Sequence, residues 1–450
     1  MTNGPLLGKV LLFSLPLMLS GILQLLYNAA DIVVVGRYCG NTSLAAVGST
    51  GALVALIINV FVGLSIGAGV TVANRIGAND RKGVHDAVHT AVAVSLISGV
   101  VCGLIGVTLS RTFLVMMGTP SNVLDLSSLY LKIYFAGMPA LMFYNFGSAI
   151  LRAMGDTLRP LYFLTASGLI NVALNLLFVR SFHMDVAGVG LATVISQILS
   201  AVLVLLCLLR IDGVCRLFPK DITIRKKELF EIIRIGVPAG LQGAMFSISN
   251  VIIQSSINTY GSVVMAGNAA CANIEGFTYT SMNSVHQAAV TFTSQNVGAK
   301  KTERISRVFL VCFLTVTVIG MFMGGISYLF RNPLLSLYSK DPAILPYGAL
   351  RMRYICFPYF LCGMLDVIVG MIRGMGQSTA PMIVTVFGTC LLRVVWIYTV
   401  YKANPILEMI YITYPISWIV TALIQIVCYR FVKKRLIQKL KAKEEPAPAE

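Results

Sequence analysis

The chain has 450 residues, 57% of them hydrophobic and only 12% charged, with a formal net charge of +17. Soluble domains carry about 25% charged residues, so half that supply leaves too little polar surface to coat a water-soluble globule. The surplus Lys and Arg lie between long apolar runs, which reads as membrane topology and contact with anionic lipid and argues against nucleic acid as a partner.

A run of roughly 20 apolar residues crosses the hydrocarbon core, and in lipid each backbone polar group must be bonded within its own helix. About twelve such spans follow along the chain. They centre near Leu19, Ile57, Leu96, Met142, Leu169, Ile198, Phe246, Phe277, Val318, Met364, Val386 and Ile419. The short alternating segments of a β-barrel are not found. The expected fold class is an all-α integral membrane protein.

The first span is too long for a cleaved signal peptide, lacks a strong basic leader and carries Asn28 and Asp31, three apart on one helix face. The fifth span places Asn171 and Asn175 four apart, again on one face, and the sixth opens with the packing run Gly188-Val189-Gly190-Leu191-Ala192 followed by Thr193. A basic segment, Arg210–Arg234, then separates two halves and is expected to carry a short interfacial helix. The eighth span contains Glu275, the tenth Asp366 and the eleventh Arg393. Pro16, Pro139, Pro238 and Pro358 fall in or near spans and are expected to kink them. Ten cysteines are scattered singly with no C-x-x-C pair, which argues against a disulfide framework or a zinc site.

The chain repeats itself. Leu151–Pro160 aligns with Ile372–Pro381, and Asn74-Arg75-Ile76-Gly77-Ala78 with Gln295-Asn296-Val297-Gly298-Ala299, both at an offset of about 221 residues. That offset holds about six helices, so the copies share one orientation and predict two six-helix lobes related by a pseudo-two-fold axis along the membrane normal. The divisions are 1–209 for the first lobe, 210–232 for a cytoplasmic linker, 233–432 for the second lobe and 433–450 for a disordered cytoplasmic tail. Counted by side, about 25 Lys and Arg fall with the N-terminus and about 9 opposite, which sets both termini in the cytoplasm.

Ionisable groups within a span are costly and mark function. Asp31 is a candidate to take up a proton or ligate Na⁺, and Asn171, Asn175 and Thr193 offer further oxygens from two other helices. Arg393 requires a partner, and Asp366 or Glu275 is expected to supply it, leaving the other carboxyl to titrate or to meet a cationic substrate. The 19 methionines and the aromatic residues read as packing and lipid-facing surface before an adaptable binding surface. No P-loop, catalytic triad or metalloprotease motif is present in the sequence, so neither ATP drive nor enzymatic activity is expected. Two lobes around a cleft favour a transporter over a channel.

Four stretches together resemble the multidrug and toxic compound extrusion (MATE) transporters over nearly the whole chain, to about Tyr429. They are Leu15-Pro16 with Gln24–Gly36 and Leu44-Ala45-Ala46-Val47-Gly48; Arg152–Pro160 with its copy at Arg373–Pro381; Asn171–Asn175 with Gly188–Thr193; and Gln295–Ala299. The resemblance implies two lobes, export of small, often cationic, organic compounds against H⁺ or Na⁺, no other cofactor, a multi-pass place in the cell membrane and a monomer. It assigns Asp31, Asn171 and Thr193 to the cation site of the first lobe. Asn175 departs from members that carry Asp there, which leaves the choice of ion open. A seventh-helix Glu used by one branch is absent from Pro238–Ser255, while Asp366 matches that branch's tenth-helix Asp. A flippase for lipid or lipid-linked saccharide is the alternative reading.

Overall fold

The computed structural model describes residues 1–338 and 341–442, without the side chains at 41, 49 and 52. Among the described residues every regular element is helical. In chain order they are α1 (Leu6–Tyr38), α2 (Asn41–Gly77), α3 (Arg81–Met116), α4 (Ser121–Ala136), α5 (Met138–Met154), α6 (Leu158–Leu176), α7 (Asp185–Arg210), α8 (Lys226–Asn258), α9 (Ser262–Gly298), α10 (Thr302–Leu329), α11 (Arg331–Ser336), α12 (Leu345–Tyr354), α13 (Phe360–Gly374), α14 (Thr379–Thr385), α15 (Leu392–Trp396), α16 (Leu407–Tyr411) and α17 (Thr413–Lys441).

Among the described residues nine stretches are long and apolar enough to cross a membrane, and α4 with α5, bent by 47° at Gly137, makes a tenth. The remaining two expected spans correspond to α9 and to α12 with α13. The first is long but polar, and its polar side chains (Asn268, Glu275, Thr278, Ser281 and Ser284 among them) are buried inside the protein, away from lipid. The second is interrupted where Pro358 stops a helix from continuing. Pro16 and Pro238, by contrast, lie inside unbroken α1 and α8.

The internal repeat is visible in the backbone. α2 and α9 are both 37 residues long. Left-handed turns recur as Gly40 and Gly261, Asn79 and Lys300, Gly155 and Gly376. A π-helical turn at Leu177–Ser181 has its counterpart at Ile397–Tyr401.

The chain forms two compact units, Leu19–Ala244 and Met1–Met18 with Met245–Glu450. Both divisions fall inside continuous helices, α1 and α8, rather than in the 210–232 segment. In the Leu19–Ala244 unit, α2 and the first half of α8 meet through two Gly-x-x-x-Gly stretches, Gly63–Gly67 and Gly236–Gly240. A Cβ on Gly63 would lie 2.3 Å from the Gly240 backbone nitrogen, and one on Gly67 would lie 2.3 Å from the Ile232 carbonyl. Without side chains between them the backbones approach closely, which is how helices gain packing attraction in lipid. Around this crossing Val72, Val84, Phe146, Leu208 and Ile232 form the core.

Between α7 and α8 the 210–232 segment contains one 3₁₀ turn, Pro219–Asp221, and no longer interfacial helix, while its last residues, 226–232, already belong to α8. It is fastened to α3. Cys215 and Leu217 are buried in the unit's core, the Phe218 amide donates to His89 Nε2 at 3.0 Å, and Thr90 Oγ1 both donates to the Thr223 carbonyl and accepts from the Arg225 amide.

The other unit is centred on α9, which packs on α10, α12 and α13. Residues from the chain start join it: Phe13 sets its ring edge-on to Phe292, 5.7 Å between centroids, and Arg304 Nη2 donates to the Gly4 carbonyl at 2.7 Å. Residues 433–441, expected as disordered tail, instead continue α17, because Lys, Arg, Leu and Gln are good helix formers and extending an existing helix is favourable. The rest of that tail, 443–450, lies outside the described residues.

Candidate functional site

Within the Leu19–Ala244 unit α1 lies against α6 because Gly168 has no side chain. A Cβ there would sit 1.9 Å from the Tyr27 ring, and the Tyr27 hydroxyl reaches the Thr165 carbonyl at 3.4 Å. One turn beyond Tyr27 stands Asp31; one and two turns beyond Gly168 stand Asn171 and Asn175. The docking of Tyr27 on Gly168 thereby delivers the carboxylate to the amides. Asn175 Nδ2 donates to Asp31 Oδ1 at 2.5 Å and to Asn171 Oδ1 at 3.2 Å. Asn175 is fully buried and its Oδ1 accepts no hydrogen bond among the described residues.

These groups open on a cavity of about 370 Å³. Asp31, Asn171 and Thr193 line it, as do Asn28 and the rings of Tyr27, Tyr130, Tyr134 and Tyr144. Thr193 donates its hydroxyl proton to the Val189 carbonyl at 3.0 Å, so toward the cavity it offers lone pairs only. All four residues expected from the sequence are thus brought together from α1, α6 and α7. The arrangement is one carboxylate, two amide oxygens and a hydroxyl oxygen beside an aromatic chamber. Oxygen donors of this kind suit a hard monovalent cation or a proton on the carboxylate, and the rings suit a flat or cationic organic guest.

The other unit holds a different network. Glu275 is gripped by Arg351, Nε to Oε1 and Nη2 to Oε2 at 2.7 Å each. Arg351 also donates to Asn268 Oδ1, and Asn268 Nδ2 donates onward to Gln254 at 2.8 Å. Sequence reasoning missed Arg351, which lies beside Arg353 at the edge of a span and reads there as an ordinary flanking cation. The expected pairing of Arg393 with Asp366 or Glu275 is not what the structure shows. Arg393 Nε donates to Ser417 Oγ at 2.9 Å, and its guanidinium lies 4.2 Å from the Tyr414 ring centroid and 5.8 Å from that of Trp418. Aromatic faces and a hydroxyl replace a carboxylate as its partners. The Tyr414 ring is shared, since Arg351 lies 5.8 Å from its centroid. Asp366 is half-buried; its backbone carbonyl meets His286 Nδ1 at 2.6 Å.

Among the described residues two further groups have metal-like composition, Cys271 with Glu275 and Cys356, and His85 with His89 and Asp221. Neither is a convincing metal centre. Both Glu275 oxygens already serve Arg351, and both His89 ring nitrogens are engaged, one by the His85 carbonyl and one by the Phe218 amide.

The fold and this polar cavity define a multi-pass helical membrane protein built from a duplicated helical repeat. A family model, MatE, matches residues 16–177 and again 238–399, and the chain belongs to the MatE family. It is 28% identical over 442 residues to the probable multidrug resistance protein YoeA of Bacillus subtilis (strain 168), covering 95% of each chain. It is 26% identical over 394 residues to the probable multidrug resistance protein YpnP of the same strain, covering 87% of this chain and 88% of the relative. Its fold matches that of a MOP superfamily transporter from Pyrococcus furiosus Vc1 (DSM3638) with a TM-score of 0.90, at 23% identity and 97% coverage of both chains.

Proposed function

We propose that the protein is a secondary active antiporter that exports small organic compounds, drugs among them, in exchange for H⁺ or Na⁺. The observation that carries this reading is the Asp31 carboxylate, held by Asn175 at the edge of a tyrosine-lined cavity large enough for a small organic molecule. A carboxylate that exchanges a cation for a guest, as the cavity opens alternately to the two sides of the membrane, couples the two fluxes. The names of the Bacillus relatives, both probable multidrug resistance proteins, support the substrate class. The distribution of Lys and Arg supports a place in the cell membrane with both termini in the cytoplasm.

The test is efflux of a fluorescent organic cation from vesicles under an imposed pH or Na⁺ gradient, comparing wild type with Asp31→Asn. Transport driven by one gradient and lost in the variant supports the reading and names the ion. Transport unchanged in the variant removes Asp31 from the mechanism.

A further inference from the structure

α17 changes character as it leaves the apolar region. From Arg430 to Lys441 it carries six Lys or Arg residues and no acid. Four of them, Arg430, Lys433, Lys434 and Lys441, recur at helical spacing on one face. They line a groove of about 530 Å³ whose other wall is Ser306 and Phe309 of α10. No Asp or Glu is among the described residues lining it. Lys433 spans the groove, its Nζ donating to Ser306 Oγ at 2.5 Å. The floor is the Tyr429 ring stacked on Phe309, with centroids 4.7 Å apart. Tyr429 is only 6% exposed, and its buried hydroxyl has no partner among the described residues. On the same two helices Leu310, Leu314 and Val427, toward the apolar part, and Phe431, next to Arg430, present more than half of their surfaces outward.

We infer that this groove binds the headgroup of an anionic phospholipid, whose acyl chains lie along the adjoining Leu310, Leu314, Val427 and Phe431. The cations and the Ser306 hydroxyl match a phosphodiester, and the apolar strip matches the part of the ligand that free phosphate lacks. The inference goes beyond the transport reading and stands apart from the Asp31 cavity. Attraction of anionic lipid by a membrane-surface Lys or Arg corresponds to about fivefold in affinity per cation.

The experiment measures lipid retained by the purified full chain in detergent, by native mass spectrometry, with phosphatidylglycerol, phosphatidylcholine or inorganic phosphate added. Phosphatidylglycerol is expected to bind, phosphatidylcholine to bind far less, and phosphate at the same concentration not to displace it. The triple variant Arg430→Gln/Lys433→Gln/Lys434→Gln is expected to lose about a hundredfold in affinity. A charge-matched control, Arg81→Gln/Lys82→Gln/Arg234→Gln, is expected to keep it. Should the triple variant fail to fold, the exposed single variant Lys434→Gln carries the test with an expected loss of about fivefold. Equal loss in the control, equal binding of phosphatidylcholine, displacement by phosphate alone, or undiminished binding in the groove variants would each overturn the inference.

Discussion

Arg351 holds both carboxylate oxygens of Glu275 in a two-pronged grip, 2.7 Å on each side, with both side chains buried. Removing one member leaves an uncompensated buried charge, which costs about 3–5 kcal/mol. Arg351→Leu is therefore expected to unfold at a markedly lower temperature in detergent. Adding Glu275→Leu is expected to recover most of the loss, since an apolar pair of similar volume is tolerated where a lone charge is not. A double variant no more stable than the single one would show that Glu275 is not the partner that matters.

The Asp31 cluster predicts an order of effects. Asp31→Asn removes the only carboxylate among the four clustered residues and is expected to abolish gradient-driven efflux. Asn175→Leu deletes the donor to Asp31 and is expected to cost about tenfold or more in transport, given about 1.5–3 kcal/mol for a hydrogen bond to a charged group. Thr193→Val is expected to do least, because that hydroxyl already satisfies its own helix at Val189. Vesicle efflux rates at fixed protein content rank the three.

The glycine crossing predicts a steric effect independent of polarity. Gly63→Ala or Gly240→Ala places a methyl group against backbone, 2.3 Å from Gly240 N or from the Val60 carbonyl oxygen. Overpacking costs about 1–3 kcal/mol where side chains can yield, and backbone yields less. Gly325→Ala, with nothing within 4 Å of the new atom, is expected to be neutral or slightly stabilising, since Ala is the better helix former. Thermal unfolding of the three variants side by side measures the difference.

The docked 210–232 segment predicts thiol chemistry. Burial pushes the Cys215 thiol up to about 12, so at pH 8 only about one molecule in ten thousand presents the reactive thiolate. Maleimide labelling of Cys215, followed by peptide mass spectrometry, is expected to be very slow in the native protein. Lifting the segment by His89→Leu, which deletes the acceptor for Phe218 N–H, is expected to accelerate it. Raising the pH from 7 to 8 is expected to speed the native reaction about tenfold without a mutation, because the thiolate fraction grows about tenfold per pH unit below the thiol's own value.

Arg393 predicts a failed rescue. Its partners are Ser417, Tyr414 and Trp418, so Arg393→Leu is not expected to be repaired by Asp366→Asn or Glu275→Gln. Recovery of expression or transport in either double variant would restore a carboxylate partner.

The cation cluster was legible in the sequence because Asp31, Asn171 and Asn175 are conspicuous against apolar neighbours and their spacings put them on helix faces. Which faces meet was not legible. That depends on Gly168 admitting the Tyr27 ring, a contact between residues far apart in the chain. Glu275 stood out for the same reason as Asp31, yet its partner did not. A helix break before Pro358 separates α12 from α13, and hydropathy alone reads Arg351 as an edge residue. The Gly63–Gly67 and Gly236–Gly240 stretches carried no signal of their own in helices already rich in small residues. α9 reads as a span from its run of residues around Phe277, yet it is not apolar enough to pass as one, because its polar side is turned toward protein.

The division of α1 and α8 between units bears on how the chain comes to be made. Translation delivers 1–18 long before the residues they pack against, Phe292 and Arg304 among them, which emerge only hundreds of residues later. The Leu19–Ala244 unit is likewise unfinished when its seven preceding helices have been inserted, because Gly63 and Gly67 still await Gly236 and Gly240. A nascent chain halted at residue 225 would hold an open glycine seam in the bilayer. The Leu19–Ala244 unit can close only once α8 has left the ribosome, and the other unit only after Phe292 and Arg304 have followed.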